Sequence, residues 1–395
     1  MNPPGEIFLP KGFKFSAVTA GIKASGKPDL ALIVADPGTS AAALFTKNRI
    51  VAAPLEVGRA ALSKSRGEIR AVIVNSGNAN CATGDTGISN CQKVCSAVAR
   101  LLGVEIQHVF PSSTGIIGVP LPTEKITSQL PVLLQTAAAS GERLLEFADA
   151  ILTTDTRPKL ASVRLQSGIA VTGIAKGAGM IHPQLATMLV YVLTDAGATS
   201  AELRKCLRRA GNESFNLISV DGDTSTNDTV LLLASGQAKI KLRKRSEFED
   251  ALHEVCRSLA EQIVADGEGV QHVIRLNVLQ AKSRDEALQV ARTIAHSLLV
   301  KTAWAGADPN WGRILAAIGR CGVAVDPKRI NLTIGDQTVC RGSVACAFDQ
   351  ARAHEELSKP ECSIAVHLGR GTESLEFLTT DLSSEYVTIN ADYST

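Results

Sequence analysis

The chain has 395 residues, which exceeds one average domain and predicts two or three. Hydrophobic residues make up 45% and charged residues 20%, a mixture that excludes a disordered chain. The 41 lysines and arginines balance 39 aspartates and glutamates, so the charge argues against nucleic acid as a partner and gives no reason to expect a membrane partner.

The first elements in chain order are strands. Residues 30–34 and 71–74 are short apolar runs rich in β-branched residues that end in turn residues, which is typical of buried strands. From Cys91 the apolar residues recur at the helical period as far as Leu102 and predict a helix. Another buried strand is predicted over residues 183–193, and Thr187 would be an ordinary β-branched residue in it.

Two capping boxes predict helices in the second half of the chain. Ser246 opens one helix, and Ser283 opens another that runs toward Leu298, each with a glutamate three residues later. A strand-like run before Ser283 suggests a boundary between predicted domains of residues 1–278 and 279–395. The alternation of strands and helices indicates an α/β or α+β fold with substantial sheet.

Several familiar motifs are incomplete. Residues 21–27 resemble a phosphate-binding loop, but Pro28 stands where a serine or threonine must reach Mg²⁺. Residues 221–232 resemble a calcium loop, but Leu232 stands where the loop needs glutamate. The seven histidines and nine cysteines have no metal-ligand spacing, so we expect no metal and reduced, buried cysteines. The basic run 239–245 alternates with apolar residues and predicts a half-exposed strand.

Four polar loops follow predicted strands, at residues 74–84, 111–118, 153–156 and 176–180. They are dense in glycine, asparagine, serine and threonine, and such loops can point backbone N–H groups at an oxyanion or a carboxylate. The pattern is typical of a pocket for a small polar ligand, but ordinary turns are an equally good interpretation. It names no reaction.

The segment KGAGMIHPQLATML, residues 176–189, closely resembles the self-cleavage segment of the ornithine acetyltransferase family, the glutamate N-acetyltransferases of arginine biosynthesis. Further blocks resemble the family in the same order along the chain: residues 75–81, 114–115, 153–159, 221–228, 266–269, 306–313 and 390–395. The resemblance implies a layered αββα sandwich, similar to the N-terminal-nucleophile hydrolases, with a smaller C-terminal α/β domain.

The resemblance also implies a chemistry. The hydroxyl of Thr187 attacks the carbonyl of Ala186, and the chain is cut into an alpha chain 1–186 and a beta chain 187–395. The new N-terminal threonine then takes the acetyl group from N-acetylornithine and passes it to glutamate in a ping-pong reaction. No cofactor is implied, and acetyl-CoA stays open as a further acetyl donor. The family implies a heterotetramer with two copies of each chain, and residues 1–6, which have no basic head followed by an apolar region, predict a cytoplasmic protein.

Residue roles follow from the matching positions. The oxyanion hole would consist of Thr114 and the N–H of Gly115. The substrate-binding residues implied are Thr153, Lys176, Thr187, Glu268, Asn390 and Thr395. Lys176, alongside Thr153, is expected to meet the substrate α-carboxylate, and Glu268 a substrate ammonium group; an ion pair between Lys176 and Glu268 is the alternative.

Two other functions remain open at this stage. One is a self-processing aminopeptidase or amidohydrolase of similar fold, in which water takes the acyl group instead of glutamate. The other is an unprocessed binding protein that keeps the pocket. His182 lies five residues before the proposed nucleophile and is expected to be either a bystander or a modulator of self-cleavage.

Overall fold

The computed structural model describes residues 6–182, 188–239 and 245–392. The strands within these ranges are β1 Phe13–Val18, β2 Leu30–Ala35, β3 Ser40–Phe45, β4 Ala71–Asn78, β5 Val109–Ile116, β6 Lys159–Arg164, β7 Ala170–Lys176, β8 Leu189–Thr194, β9 Thr229–Ala234, β10 Val273–Ala281, β11 Asn331–Ile334, β12 Gln337–Arg341, β13 Val344–Ala345, β14 Glu361–His367 and β15 Glu373–Thr380.

The helices of the described ranges are α1 Ala53–Lys64, α2 Gly84–Leu102, α3 Thr123–Gln135, α4 Gly141–Ala150, α5 Ser200–Asn212, α6 Arg245–Ala265, α7 Arg284–Ala295, α8 Leu298–Ala305, α9 Trp311–Gly319, α10 Gln350–Leu357 and α11 Ser384–Asp392. Short 3₁₀ turns occur at Ile106–His108, Phe215–Leu217 and Pro327–Arg329.

Two sheets pack face to face in the first part of the chain. One has the order β1-β2-β4-β5 and the other the order β3-β9-β8-β7-β6. In each sheet one pair is parallel, β4 with β5 and β8 with β9, and the other pairs are antiparallel. Parallel neighbours need a crossover, and α2 supplies the one between β4 and β5.

Side-chain alternation explains the layers. Along β8, Tyr191 and Leu193 enter the core between the two sheets, while Val190 and Val192 face helices α5 and α6. Along β2, Ala31 and Ile33 enter the same inter-sheet core, while Leu30 and Leu32 face α2 and α3. Because side chains of a strand alternate between faces, strands apolar on both sides are buried on both sides. The result is the helix–sheet–sheet–helix sandwich that the family resemblance implied.

The third sheet occupies the C-terminal part of the chain. Its order is β13-β12-β11-β14-β10-β15, and helices α7 to α10 pack their apolar side chains against it. The predicted division at residue 278 falls within strand β10, which pairs with β14 and β15 of this sheet. The division into two domains stays a prediction.

The local predictions can be compared with these elements. The strands predicted at 30–34 and 71–74 and the helix through Cys91 are confirmed as β2, β4 and α2, although α2 already begins at Gly84. Ser283 caps α7 through a hydrogen bond from the Glu286 N–H, 3.2 Å. The prediction that this helix reaches Leu298 is wrong, because α7 ends at Ala295 and a separate helix, α8, follows.

Other predictions concern cysteines and the basic run. All nine cysteines are free thiols, and eight of them are buried, as expected for reduced apolar side chains. Residues 240–244 of the basic run lie outside the described residues, so the predicted strand there stays a prediction. No helix in the described ranges combines the length and apolar character needed to cross a bilayer.

Candidate active site

One cleft lies where the two sheets of the sandwich end side by side. Its volume is about 540 Å³, and it opens to solvent. Its walls are Ala79, Thr114, Gly115, Ile117, Thr153, Thr154, Lys176, Gly179, Met180, Ser225, Thr226, Asn227, Glu268 and Asn390. This set contains all six of the predicted site residues that the structure describes. Ala186, Thr187 and Thr395 lie outside the described residues.

Thr114 and Gly115 lie at the end of β5, where its pairing with β4 becomes irregular. They were predicted in a loop, and this was wrong, because β5 runs to Ile116 and its polar side chains are buried at the edge of the cleft. Gly115 has φ +130°, and a Cβ there would lie 2.3 Å from the Gly77 carbonyl carbon. Only glycine allows the two strands to approach so closely.

Asn227 holds this end of β5 in place. Its side-chain Nδ2 donates to the carbonyl oxygens of Ser113, 2.9 Å, and Ala79, 2.7 Å. Asn227 itself is buried and follows Thr226, whose hydroxyl donates to Asn227 Oδ1, 2.6 Å. The amide therefore joins the second sheet to the strand that carries Thr114. Sequence reasoning missed this residue because its partners are more than a hundred positions away.

Lys176 ends β7 with its side chain almost completely buried. Its Nζ donates to Thr153 Oγ1, 2.7 Å, and lies 3.5 Å from Asp155 Oδ2. The alternative ion pair with Glu268 is not formed between these two described residues. A lysine ammonium has three donors, so one N–H of Lys176 has no acceptor among the described residues and is available to a ligand in the cleft.

Asp155 is the centre of a buried charge network that the sequence did not indicate. It accepts the Gly177 N–H, 2.6 Å, and the ammonium of Lys159, 2.7 Å. Lys159 also donates to Asp266, 2.6 Å. Burial alone would raise the pKa of Asp155, but Lys176 and Lys159 hold it well below its usual value. Asp155 is therefore a fixed negative charge under Lys176.

Glu268 enters the cleft from the turn after α6. Its Oε2 accepts a hydrogen bond from Asn390 Nδ2, 2.8 Å, which brings helix α11 to the cleft. A Cβ on Gly179 would lie 2.4 Å from the same oxygen, so any larger residue there would displace the carboxylate. The cleft thus carries an ammonium group on Lys176 and a carboxylate on Glu268, which suits a ligand with both charges.

The chain enters residues 183–187 through a tightly held turn. Asp221 accepts the backbone N–H groups of Met180, 2.6 Å, and Ile181, 3.0 Å. Burial raises the pKa of Asp221 to about 6, although the backbone N–H groups of Asp223 and Met180 oppose the change. Since the carboxylate is occupied by backbone amides, the loop that resembled a calcium site is used to fix the turn before Ala186.

His182 packs against a second histidine. Its ring lies 4.9 Å from that of His296, centroid to centroid, and His296 Nε2 lies 3.0 Å from the Ser219 hydroxyl. Burial lowers the pKa of His182, and lowers that of His296 to about 4. The rings are tilted by 36° to each other, and burial favours the neutral form, so at neutral pH His182 packs as an uncharged ring. Its influence on self-cleavage stays a prediction.

The phosphate-loop-like motif is occupied by the protein itself. The Asp29 carboxylate accepts the N–H groups of Ala20, 2.6 Å, Ile22, 2.5 Å, and Lys23, 2.9 Å. A carboxylate at these amides leaves no place for a phosphate, which agrees with the exclusion from sequence. Among the described residues no group of three histidine, cysteine or acidic side chains is arranged to hold a metal.

A larger groove lies elsewhere, on the outer face of α5. It has a volume of about 990 Å³ and is more open than the cleft. Its walls are Ala201, Arg204, Lys205, Arg208, Arg209, Asn212, Glu213 and Arg284. None of the predicted site residues lines it, so the smaller cleft is the candidate active site.

Comparisons with known proteins agree with the sequence resemblance. The family model described as the ArgJ family matches residues 14–395. The arginine biosynthesis bifunctional protein ArgJ of Methylococcus capsulatus is 44% identical, covering 97% of this chain and 95% of its own. That of Geobacter sulfurreducens is 45% identical, covering 98% and 99%. The solved ornithine acetyltransferase of Mycobacterium tuberculosis, complexed with ornithine, is 36% identical, with a TM-score of 0.43 over 46% of this chain and 94% of its own.

Proposed function

The chain belongs to the ArgJ family, an acyltransferase family of arginine biosynthesis, and we propose that it transfers the acetyl group of N-acetylornithine to glutamate through Thr187. The family match over nearly the whole chain favours this transferase over the aminopeptidase or amidohydrolase. The observation that supports the site is that six predicted residues from distant parts of the chain line one cleft.

Self-cleavage comes first in the proposed sequence. The Thr187 hydroxyl attacks the Ala186 carbonyl carbon, and the peptide C–N bond breaks as the nitrogen takes up a proton. Water hydrolyses the resulting ester, which leaves the Ala186 carboxylate and a free Thr187 α-amine. An α-amine has a pKa of about 7.7–8.0 in solution, so it can accept the proton of the adjacent hydroxyl.

Acetyl transfer then proceeds in two halves. The Thr187 hydroxyl attacks the acetyl carbonyl of N-acetylornithine, ornithine leaves with a proton on its α-amine, and an acetyl ester remains on Thr187. The neutral amine of glutamate attacks this ester, which gives N-acetylglutamate and regenerates the hydroxyl. Thr114 and the Gly115 N–H would stabilise the oxyanion in both halves, and such donors are typically worth about 2.7–4 kcal/mol each.

The remaining residues of the cleft would bind the substrates. The free donor of Lys176, with Thr153 beside it, suits the α-carboxylate that both substrates share. Glu268, supported by Asn390, suits the side-chain ammonium of N-acetylornithine. Thr395 would complete the contacts from the chain end. Because the chemistry uses a hydroxyl and an amine, we propose that no cofactor takes part.

Three finer points belong to the same proposal. The relatives are named bifunctional, which supports acetyl-CoA as a further acetyl donor. The mature enzyme would be a heterotetramer of two chains 1–186 and two chains 187–395. Its proposed location is the cytoplasm.

A denaturing gel and a coupled assay test the proposal. The purified protein should give two bands near 20 and 22 kDa, in proportion to 186 and 209 residues of the 41.5 kDa chain. A single 41.5 kDa band would favour the unprocessed binding protein. Thr187→Ala should stay uncut, whereas Thr187→Ser keeps a hydroxyl and should be cut. Formation of N-acetylglutamate from glutamate and N-acetylornithine, and separately from glutamate and acetyl-CoA, then shows which donor is used. If hydrolysis of the donor is faster than transfer to glutamate, the amidohydrolase is favoured.

A further inference from the structure

Asp228 is tied to the residue that follows the proposed nucleophile. It directly precedes β9 and is completely buried. Its Oδ1 accepts the N–H of Met188, 3.1 Å, and Met188 is bonded to Thr187 in the sequence. The Met188 carbonyl oxygen in turn accepts the N–H of Thr229, 3.1 Å. The position of Asp228 relative to Met188 is therefore fixed from both sides.

The second oxygen of Asp228 is buried without a partner. Among the described residues nothing forms a hydrogen bond with Oδ2. The hydroxyl of Thr46 faces the carboxyl group but donates to the Ser225 carbonyl oxygen, 2.9 Å. The hydroxyl of Ser225 accepts the Asn227 N–H, 3.1 Å, and both hydroxyls lie close enough to the Asp228 carboxyl group to lower its pKa. Buried polar atoms almost always have a partner, so an exception needs an explanation.

Self-cleavage would create a suitable donor beside this oxygen. An amide nitrogen carries one hydrogen, whereas a free α-amine carries two or three. The new donors would appear on Thr187, one residue from the Met188 N–H that Asp228 already accepts. We propose that Asp228 Oδ2 accepts a hydrogen bond from the freed α-amine of Thr187 and holds that amine beside its own hydroxyl. This inference rests on the proposed self-cleavage.

Asp228 would act as a positioning residue, since the proton passes from the hydroxyl to the amine and not to the carboxyl group. The charged side chain that faces it is Lys176 on β7, and the hydroxyls of Thr46 and Ser225 are its polar neighbours. Burial raises the pKa of Asp228 well above its usual value, against the effect of these groups. A cationic amine nearby favours the carboxylate, and the carboxylate in turn raises the pKa of the amine.

The pH profile of acetyl transfer tests the inference. Asp228→Asn keeps the shape of the side chain and removes its charge. The variant should still be cut, and its kcat should fall about 10–100-fold with little change in KM, because a misplaced base slows proton transfer. Without the nearby carboxylate the pKa of the amine falls, so the acidic limb of the kcat profile should move about one pH unit lower.

Asp381→Asn is the matched control. Asp381 is also buried, accepts a backbone N–H through one oxygen, from Gln271 at 3.1 Å, and leaves Oδ2 without a partner among the described residues. It follows β15 in the C-terminal sheet, whereas the Met188 N–H binds Asp228. If the loss of activity in Asp228→Asn is specific to Asp228, the Asp381→Asn variant should keep the wild-type kcat and pH profile.

The outcomes separate this inference from the proposed function. An uncut wild-type protein would overturn both. If Asp228→Asn is cut and keeps the wild-type pH profile of kcat, even with lower activity, the inference alone is overturned. The inference is also overturned if Asp228→Asn stays uncut while the wild type is cut, since Asp228 would then act before cleavage. A crystal structure of the processed enzyme gives an independent result: Oδ2 within about 3.2 Å of the Thr187 nitrogen supports the inference, and a gap beyond hydrogen-bond distance contradicts it.

Discussion

Lys176 and Asp155 form a buried ion pair, with the lysine Nζ 3.5 Å from the carboxylate Oδ2. Lys176 lines the cleft, but Asp155 lies behind it and also binds Lys159. The carboxylate therefore holds the ammonium group in one place before any ligand arrives. Such preorganisation lowers the cost of fixing a flexible lysine when a substrate carboxylate binds.

The first prediction concerns this pair. Asp155→Asn should lower the free energy of unfolding by about 3–5 kcal/mol, because it leaves the buried ammonium group of Lys176 without its carboxylate, while Lys159 keeps Asp266. Urea unfolding of the uncut Thr187→Ala chain would measure the loss, with exposed Asp336→Asn as a control that leaves the midpoint unchanged. An unchanged midpoint for Asp155→Asn would contradict the network.

The same pair predicts a pH dependence. The pKa of Asp155 is lower in the folded chain than its unfolded value of about 3.9. Its contribution to stability is therefore complete above pH 4 and is lost as the pH falls through the folded value. The stability difference between wild type and Asp155→Asn should shrink in acid below pH 4, and a difference that stays constant there would count against the ion pair.

The third prediction concerns the close approach of β4 and β5. Gly115→Ala places a Cβ 2.3 Å from the Gly77 carbonyl carbon, so the strand end must move. We expect kcat for acetyl transfer to fall about 10²–10³-fold, the loss typical of one oxyanion donor. Gly118→Ala is the matched control, because Gly118 also has positive φ but open space around it. Equal losses in both variants would show that backbone strain alone is responsible.

The fourth prediction concerns the ammonium group of the donor. Glu268→Gln should raise KM for N-acetylornithine about tenfold or more with little effect on kcat, because a hydrogen bond to a charged group is worth about 1.5–3 kcal/mol. The control is an N-acetyl amino acid with a propyl side chain, which has no ammonium for Glu268 to bind. If KM rises equally for both donors, Glu268 does not bind that ammonium.

The fifth prediction concerns the turn before Ala186. Burial raises the pKa of Asp221 from 3.8 to about 6, so between these values the folded chain binds more protons than the unfolded chain. Asp221 therefore lowers the free energy of unfolding by at most about 3 kcal/mol as the pH rises from about 4 to 6. Comparing wild type with Asp221→Asn at pH 4 and pH 6 isolates this effect from the nearby histidines. Identical slopes would contradict the raised pKa.

Local patterns predicted much of the fold. The apolar runs that became β2 and β4 and the capping serine of α7 carry their signal within a few residues. The layered sandwich was implied only by the family resemblance, because packing of two sheets depends on residues far apart in sequence. Serine and threonine are common in turns and predict a loop at the end of β5, whereas Ser113 is buried here and donates to Asn75 Oδ1, 2.6 Å.

The candidate site, like the fold, could be predicted only in part. The cleft residues with charged or hydroxyl groups were recognised from family blocks, and six of them lie together. Asp155, Asn227 and Asp228 have no role predicted from the sequence, since each has a partner far along the chain that leaves no local pattern: Gly177 at 22 positions, Ala79 at 148 and Met188 at 40, respectively. These three residues support the groups that would touch the substrate, and support of this kind is visible only in three dimensions.

The most direct test of the account is the mass of each chain after the enzyme meets N-acetylornithine without glutamate and is quenched with acid. We predict that the chain beginning at Thr187 gains one acetyl group on its N-terminal residue, and that adding glutamate removes it. An unmodified chain, or an acetyl group on any other residue, would contradict transfer through Thr187.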